Sequence, residues 1–476
     1  MDKRDFYSLF AGKATFLCSL IFMITTVACK NNNNEKEAKT TSALVHLITL
    51  APGHFHAALL QKYMYKDVDS TVYVFAPDGP ELKSHLALID DYNKRKENPT
   101  SWKEKVYTGK DYMEQLVKTR PGNVVVIAGN NQLKTDYIKR SVDAGLNVLA
   151  DKPMAITKTG FDKLKDAFEE AEKNKILLYD IMTERYEITN ILQKEFSQLP
   201  DVFGKLQKGT LENPAITSES VHYFFKEVSG VPLIRPSWYF DVDQEGEGIV
   251  DVTTHLVDLV QWQCFPDVLL DYKKDIQMLA AKHWATVLTP AQFYQVTKKD
   301  TYPDFLKKAV KDSLLHVYAN GEMNYTIKDV HAKVSVVWNF QAPEGTGDTY
   351  YSRLRGTKAN LIIRQGKEQQ YKPSLFIEPI DKANRDSWNE AVQTGLNSIL
   401  KKYPGLSLNK SNQGWEIVIP EKYKIGHEQH FAEVFKKYIQ YLKAGKISEW
   451  ETSGMLAKYY TTTSALEKAI NNPKNK

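Results

Sequence analysis

Cysteine is scarce: the 476-residue chain has three, Cys18, Cys29 and Cys264, spaced too far apart for a disulfide framework or a paired-cysteine zinc site. Long runs of one charge are missing too. The formal net charge of +5 is spread along the chain, with no basic stripe to track a phosphate backbone, so nucleic acid is not an expected partner. His427-Glu428-Gln429-His430 has one residue too few for the HExxH zinc motif, and no metal is expected. No internal repeat of fixed period stands out. What is present is an ordinary globular composition, 42% hydrophobic and 25% charged, in a chain longer than one hydrophobic core usually serves. Two domains plus a leader are expected.

The leader is residues 1–29. Lys3 and Arg4 precede a short apolar stretch, 14–27, which is too brief for a membrane span and reads as a signal peptide. Thr26-Val27-Ala28-Cys29 is similar to a bacterial lipobox, with Thr26 where leucine is usual, so Cys29 is the expected lipidation site. Lys3-Arg4-Asp5-Phe6 also resembles a degraded twin-arginine export motif. Residues 30–43, with four consecutive asparagines, have nothing to bury and form a flexible tether. The expected location is the periplasm or outer membrane of a Gram-negative bacterium, with the lipid as membrane anchor.

From residue 44 apolar strands alternate with helical spacing. Strands are expected at 44–50, 71–76, 123–128, 147–150 and 176–179, and helices at 55–65, 80–94, 111–119, 134–144 and 160–174. That alternation indicates an α/β fold with a doubly wound parallel sheet, placed at 44–180. Beyond it the texture turns β-rich, at 205–212, 220–225, 314–318, 323–327, 334–339 and 351–364, with helices at 249–263, 292–311 and 428–444. A second α/β domain with an open, mainly antiparallel sheet is expected over 181–476.

Two segments carry the chemistry. Asp151-Lys152-Pro153 ends a short strand, where open parallel sheets bind ligands, and Lys152 there can stabilise a developing oxyanion. A lone Lys-Pro would more often be a solvated turn. In the second segment, residues 246–259, a helix would put Asp251, His255 and Leu259 on one face, letting the carboxylate fix the imidazole as a general base. By itself an Asp-x-x-x-His pair is usually a surface contact.

Together these segments resemble the glucose-fructose oxidoreductase, inositol dehydrogenase and MocA (Gfo/Idh/MocA) family. There a Glu-Lys-Pro turn follows an Ala-Gly-x-x-Val strand, and Gly-Gly-x-x-x-Asp-x-x-x-His opens the second domain. Asp151 replaces the glutamate; Lys152, Asp251 and His255 match the family's catalytic trio. Residues 353–359 also resemble its late Gly-Thr-Lys-Gly turn. The resemblance implies a Rossmann-like first domain and bound NAD or NADP. The cofactor candidates are Gly53, His54, His56, Asp78, Asn130, Asn131, Asp151 and Lys152; Arg185 and Tyr186 match a family position near substrate, and Trp238 could stack on a sugar ring, though an aromatic before a domain-opening helix is more often core. The cofactor loop departs from the family's Gly-x-Gly-x-x-Gly: residues 50–56 retain only Gly53, leaving helix N-terminal NH groups, His54 or His56 for the phosphates. Asp78 would hold the ribose hydroxyls and favour NAD. Lys134 stands where the family often has histidine.

The implied function is hydride transfer between a tightly held nicotinamide cofactor and a sugar or glycoside hydroxyl. His255 would act as base, Lys152 steady the alkoxide and Asp251 orient the imidazole. The partners expected are a small carbohydrate and a second copy through the C-terminal sheet. Two rivals stand beside this reading: an NAD-dependent glycosidase working by transient oxidation at C3 and elimination, and a cofactor-free glycan-binding lipoprotein.

Overall fold

A computed structural model describes residues 45–228, 231–381 and 385–472. Residues 1–29, the tether 30–43 and the Cys29 lipidation site lie outside them. Among the described residues no helix is long and apolar enough to cross a membrane.

Six strands build the first sheet: β1 (Leu47–Leu50), β2 (Thr71–Phe75), β3 (Lys103–Tyr107), β4 (Val124–Ile127), β5 (Asn147–Asp151) and β6 (Leu178–Ile181). Their order is β3-β2-β1-β4-β5-β6, every pair parallel. β1, β4 and β6 are buried along their whole length, because helices cover both faces of a parallel sheet and leave no polar side. Edge strand β3 is the exception. Its Lys-Glu-Lys-Val-Tyr sequence lies largely exposed and carries no apolar alternation, which hides it in the sequence.

The crossover helices are α1 (His56–Leu59), α2 (Pro80–Lys94), α3 (Tyr112–Thr119), α4 (Lys134–Asp143) and α5 (Lys158–Asn174). α1 is a correction: the helix expected over 55–65 is only four residues long. It therefore lacks the aligned NH groups of a full helix start for a phosphate.

After α6 (Ile188–Ser197), strand β7 (Ile216–Phe225) enters a ten-stranded sheet. On one side of β7 lie Val330–Gln341, Leu314–Ile327 and Ile276–Leu288; on the other lie Thr349–Arg355, Ala359–Gln365, Ser374–Pro379, Trp415–Val418 and Ser407–Lys410. All these pairs are antiparallel except β7 with Val330–Gln341. Strand Leu314–Ile327 alternates buried and half-buried side chains, as a sheet with one covered face should. Three expectations change. Residues 205–212 form turns and isolated bridges, 351–364 divides into a hairpin around Gly356-Thr357, and 292–311 splits into helix Pro290–Thr297 and a short 3₁₀ turn.

Helix α7 (Thr253–Cys264) packs on the second sheet. The chain then returns to the first. Phe431, Phe435 and Tyr438 of helix His427–Ala444 and Tyr459 of helix Glu449–Ile470 complete the first sheet's core, while Ala457, Ala465 and Leu466 of the last helix join the second. The Tyr438 hydroxyl donates to the carbonyls of Val148 and Leu177, 3.1 and 2.9 Å away.

Candidate active site

The strand order reverses between β1 and β4, the switch point at which open α/β sheets form a ligand crevice. A cavity of about 340 Å³ opens there, lined by Gly53, Asp78, Asn130 and Trp238 among others. The loop after β1 crosses the end of β4, with the NH groups of Gly53 and His54 both donating to Ala128 O at 3.2 and 3.3 Å. Gly129 permits the crossing: a Cβ there would lie 2.5 Å from Ala51 O and 2.7 Å from Gly53 N. A Cβ on Gly53 would fill the crevice wall, 3.3 Å from Asn130 N. These features fit a dinucleotide, with exposed Asp78 after β2 beside the crevice. The phosphate cradle is reduced, since the loop NH groups are already engaged by Ala128.

The crossing delivers His54 and His56 to the end of β5. His56 Nδ1 lies 2.8 Å from Asp151 Oδ2, and the His54 and His56 rings meet edge-to-face at 4.0 Å. His56 thus pairs with a carboxylate. Burial, then the neighbouring His56, hold His54 well below the usual imidazole range. Burial pushes Asp151 up, but the charge and hydrogen bond of His56 together with Lys134 outweigh it and hold this carboxyl low. Although no metal motif is legible in the sequence, ligand atoms of His54, His56 and Asp151 all lie within 4.8 Å of one another.

Lys134 was not singled out as a site residue, yet it braces the turn that carries Lys152. Its buried Nζ donates to Asp151 O at 3.1 Å and Lys152 O at 3.4 Å. Burial draws its pKa down to about 8. The only sequence signal was its position, where the family often has histidine.

Lys152 is joined across the domains to Asp251 by an ion pair, their side chains 13% and 7% exposed. Burial opposes its charge, but Asp251, Asp151 and Glu245 together raise its pKa, so Lys152 is a held cation. His255 lies near enough that burial and then the Lys152 charge depress its pKa well below the ordinary value. Its Nδ1 is buried with no partner.

The expected Asp251–His255 pairing is therefore corrected. α7 begins only at Thr253, and the turn before it closes with Thr254 N to Asp251 O at 3.2 Å and His255 N to Val252 O at 3.0 Å. These three-residue bonds wind more tightly than an α-helix and carry Asp251 off the His255 face, toward Lys152.

The remaining assignments divide. Asn130 Nδ2 donates to Gln244 Oε1 at 2.7 Å and Asn131 Nδ2 to Glu245 O at 2.7 Å, so this pair ties the crevice to the second domain. Trp238 lies against Gly53 on the cofactor crevice and is 8% exposed. Arg185 is engaged by carboxylates within the protein. Its guanidinium is bidentate to Asp258, at 2.6 and 2.7 Å, and reaches Glu451 at 2.7 Å. Tyr186 packs against the first core.

Three further groups surround Lys152. Burial, then Glu187, raises Glu184 to about 7, and burial with Asp251 holds Glu245 well above the carboxylate range. His427, at the head of its helix, lies 5.5 Å ring to ring from His56, and burial depresses it to about 3. In the sequence Glu184 stood only as the neighbour of Arg185, His427 only in the His-Glu-Gln-His run set aside as a zinc motif, and Glu245 in no motif, because each comes from a separate turn or helix start.

Residues 74–179 match the family described as "Oxidoreductase family, NAD-binding Rossmann fold", and residues 192–470 match "Putative oxidoreductase C terminal domain". A solved structure from Parabacteroides merdae, described as a "putative oxidoreductase", is 53% identical, with 90% of this chain and 99% of that chain covered and a TM-score of 0.89. At 12% identity the fold also matches levoglucosan dehydrogenase in complex with NADH and levoglucosan, with 90% and 97% covered and a TM-score of 0.54. It likewise matches a 3-ketoreductase from Actinomadura kijaniata in complex with NADP, with 90% and 98% covered and a TM-score of 0.51. None of the curated proteins matches the chain. A parallel sheet with a nucleotide crevice at its switch point, a Lys152–Asp251 pair across the domains and both domain matches lead to one conclusion: the chain belongs to the Gfo/Idh/MocA oxidoreductases, with an NAD-binding Rossmann domain.

Proposed function

We propose that the protein moves a hydride between a tightly held NAD and a secondary hydroxyl of a sugar or glycoside. The observation that carries this is the held Lys152 cation beside a neutral His255 whose Nδ1 has no partner. His255 takes the hydroxyl proton, and Lys152 donates a charge-assisted hydrogen bond to the resulting alkoxide. Asp251 holds the ammonium in place. When bound, the nicotinamide supplies the acceptor for the hydride. Mixing the purified protein with a panel of glycosides and following NADH absorbance tests the reading; no absorbance change with any sugar or glycoside refutes it.

A second reading, elimination of the aglycone after transient oxidation, gains support from Glu184 and Glu245. Simple dehydrogenation needs one base, whereas elimination also needs a group to remove the neighbouring C–H proton and an acid for the leaving group. Carboxyls whose pKa values are raised near Lys152 suit those tasks. Release of a chromogenic aglycone without net NADH accumulation distinguishes it.

Export and lipidation at Cys29 complete the proposal, with the cofactor retained through each cycle. Cys29→Ser should release the protein from the membrane fraction; unchanged partition refutes the anchor.

A further inference from the structure

We propose that His54, His56 and Asp151 form a divalent-cation site of the zinc class in the loop that replaces the family's glycine-rich turn. Two imidazoles and a carboxylate are a common zinc donor set, and three protein ligands leave a position for an oxygen of solvent or a bound molecule. The two histidines follow β1 and Asp151 ends β5, strands that are not neighbours in the sheet, since β4 separates them. They meet because the β1 loop crosses β4 over Gly129 and is pinned by Ala128 O.

Within that loop, His56 N points to His54 Nδ1 at 3.4 Å, leaving His54 Nε2 for a cation. The His56 and Asp151 side chains are 11% and 7% exposed, so the site is largely shielded from bulk water. Neither nearby lysine bonds the Asp151 carboxylate directly. Lys134 Nζ is directed at the carbonyls of Asp151 and Lys152, and Lys152 Nζ at Asp251. Besides His56, the Asp151 carboxylate accepts a bond from the Lys152 backbone NH, 3.0 Å away, which orients it as an outer-shell bond orients a metal ligand.

The full chain, stripped with EDTA, should bind about one Zn²⁺ in a calorimetric titration, and zinc should raise its melting temperature. His54→Ala, His56→Ala and Asp151→Asn should each weaken binding roughly 100-fold or more, since even outer-shell losses cost 10- to 100-fold. His430→Ala should leave it within a few fold. Should the His56 or Asp151 variants fail to fold, His54→Gln at the half-buried position serves instead. A cobalt-loaded wild-type protein should also show the visible absorption of a tetrahedral site. Failure of the wild type to bind Zn²⁺ or Co²⁺, or undiminished binding in a folded His54 variant, overturns the proposal.

Discussion

Two charged clusters bridge the domains, and they differ in completeness. The first joins Arg185, Asp258, Glu451, Lys458 and Asp180. Lys458 reaches both aspartates at 2.6 and 2.7 Å with its side chain fully buried; the Tyr459 hydroxyl donates to the same Asp180 oxygen, and those of Tyr179 and Tyr441 donate to the Glu451 oxygen that Arg185 leaves free. Two cations face three carboxyls, and burial pushes Asp180 up as the surplus acid. The second joins Lys152 and Asp251 beside His255, with a buried nitrogen unmatched and a cofactor crevice opening nearby. A satisfied buried network holds the architecture, whereas an unsatisfied group beside a cavity marks the place where a ligand completes the set.

The largest effect should come from breaking the first cluster. Lys458→Met leaves Asp180 buried without its cation and Asp258 with Arg185 alone, and should cost about 3–5 kcal/mol. Arg185→Met should behave similarly, read as a lower denaturant midpoint at unchanged slope; near-wild-type stability would erase the distinction between the clusters. Breaking the second should spare the fold and remove the chemistry. Lys152→Met and His255→Asn should each lower turnover roughly 100-fold or more, about 2.7 kcal/mol of barrier, with bound dinucleotide retained. The double variant should be scarcely worse than either single one, because residues acting as a unit are non-additive.

Asp78→Ala, at the outer end of the crevice, should weaken NAD about tenfold, as for loss of a charged hydrogen bond of roughly 1.5 kcal/mol, while sparing NADP. Tighter binding of NADP to the unaltered protein would count against Asp78 as the ribose partner. The smallest effect is a displaced pH limb. A base works only when deprotonated, and the His255 pKa is depressed, so the acid limb of kcat/KM should fall below the ordinary imidazole value of about 6.5. A limb near 7 would transfer the role to Glu184.

How far the sequence anticipated these regions follows from where each signal lies. The buried parallel strands announced themselves as short apolar runs between helical spacings. Lys152 and His255 were singled out because each sits in a compact local motif. The ion pairs of Arg185 left no signal because its partners, Asp258 and Glu451, are 73 and 266 residues distant along the chain. The Asp251–His255 spacing assumed 3.6 residues per turn, and the tighter lead-in to α7 broke that assumption. Edge strand β3 escaped because exposure on its charged side chains removes the alternation that marks a strand.

By itself the sequence determined the fold class and the two sheets and drew attention to Lys152 and His255, since periodicity and short motifs are properties of neighbouring residues. Only the tertiary structure decided which carboxylate serves which cation, and that Asp251 belongs to Lys152 and Asp258 to Arg185. It also gathered His54, His56 and Asp151 over Gly129. Those choices depend on loop crossings and on helices returning from the far end of the chain, where burial and Coulomb attraction between distant residues leave no local pattern.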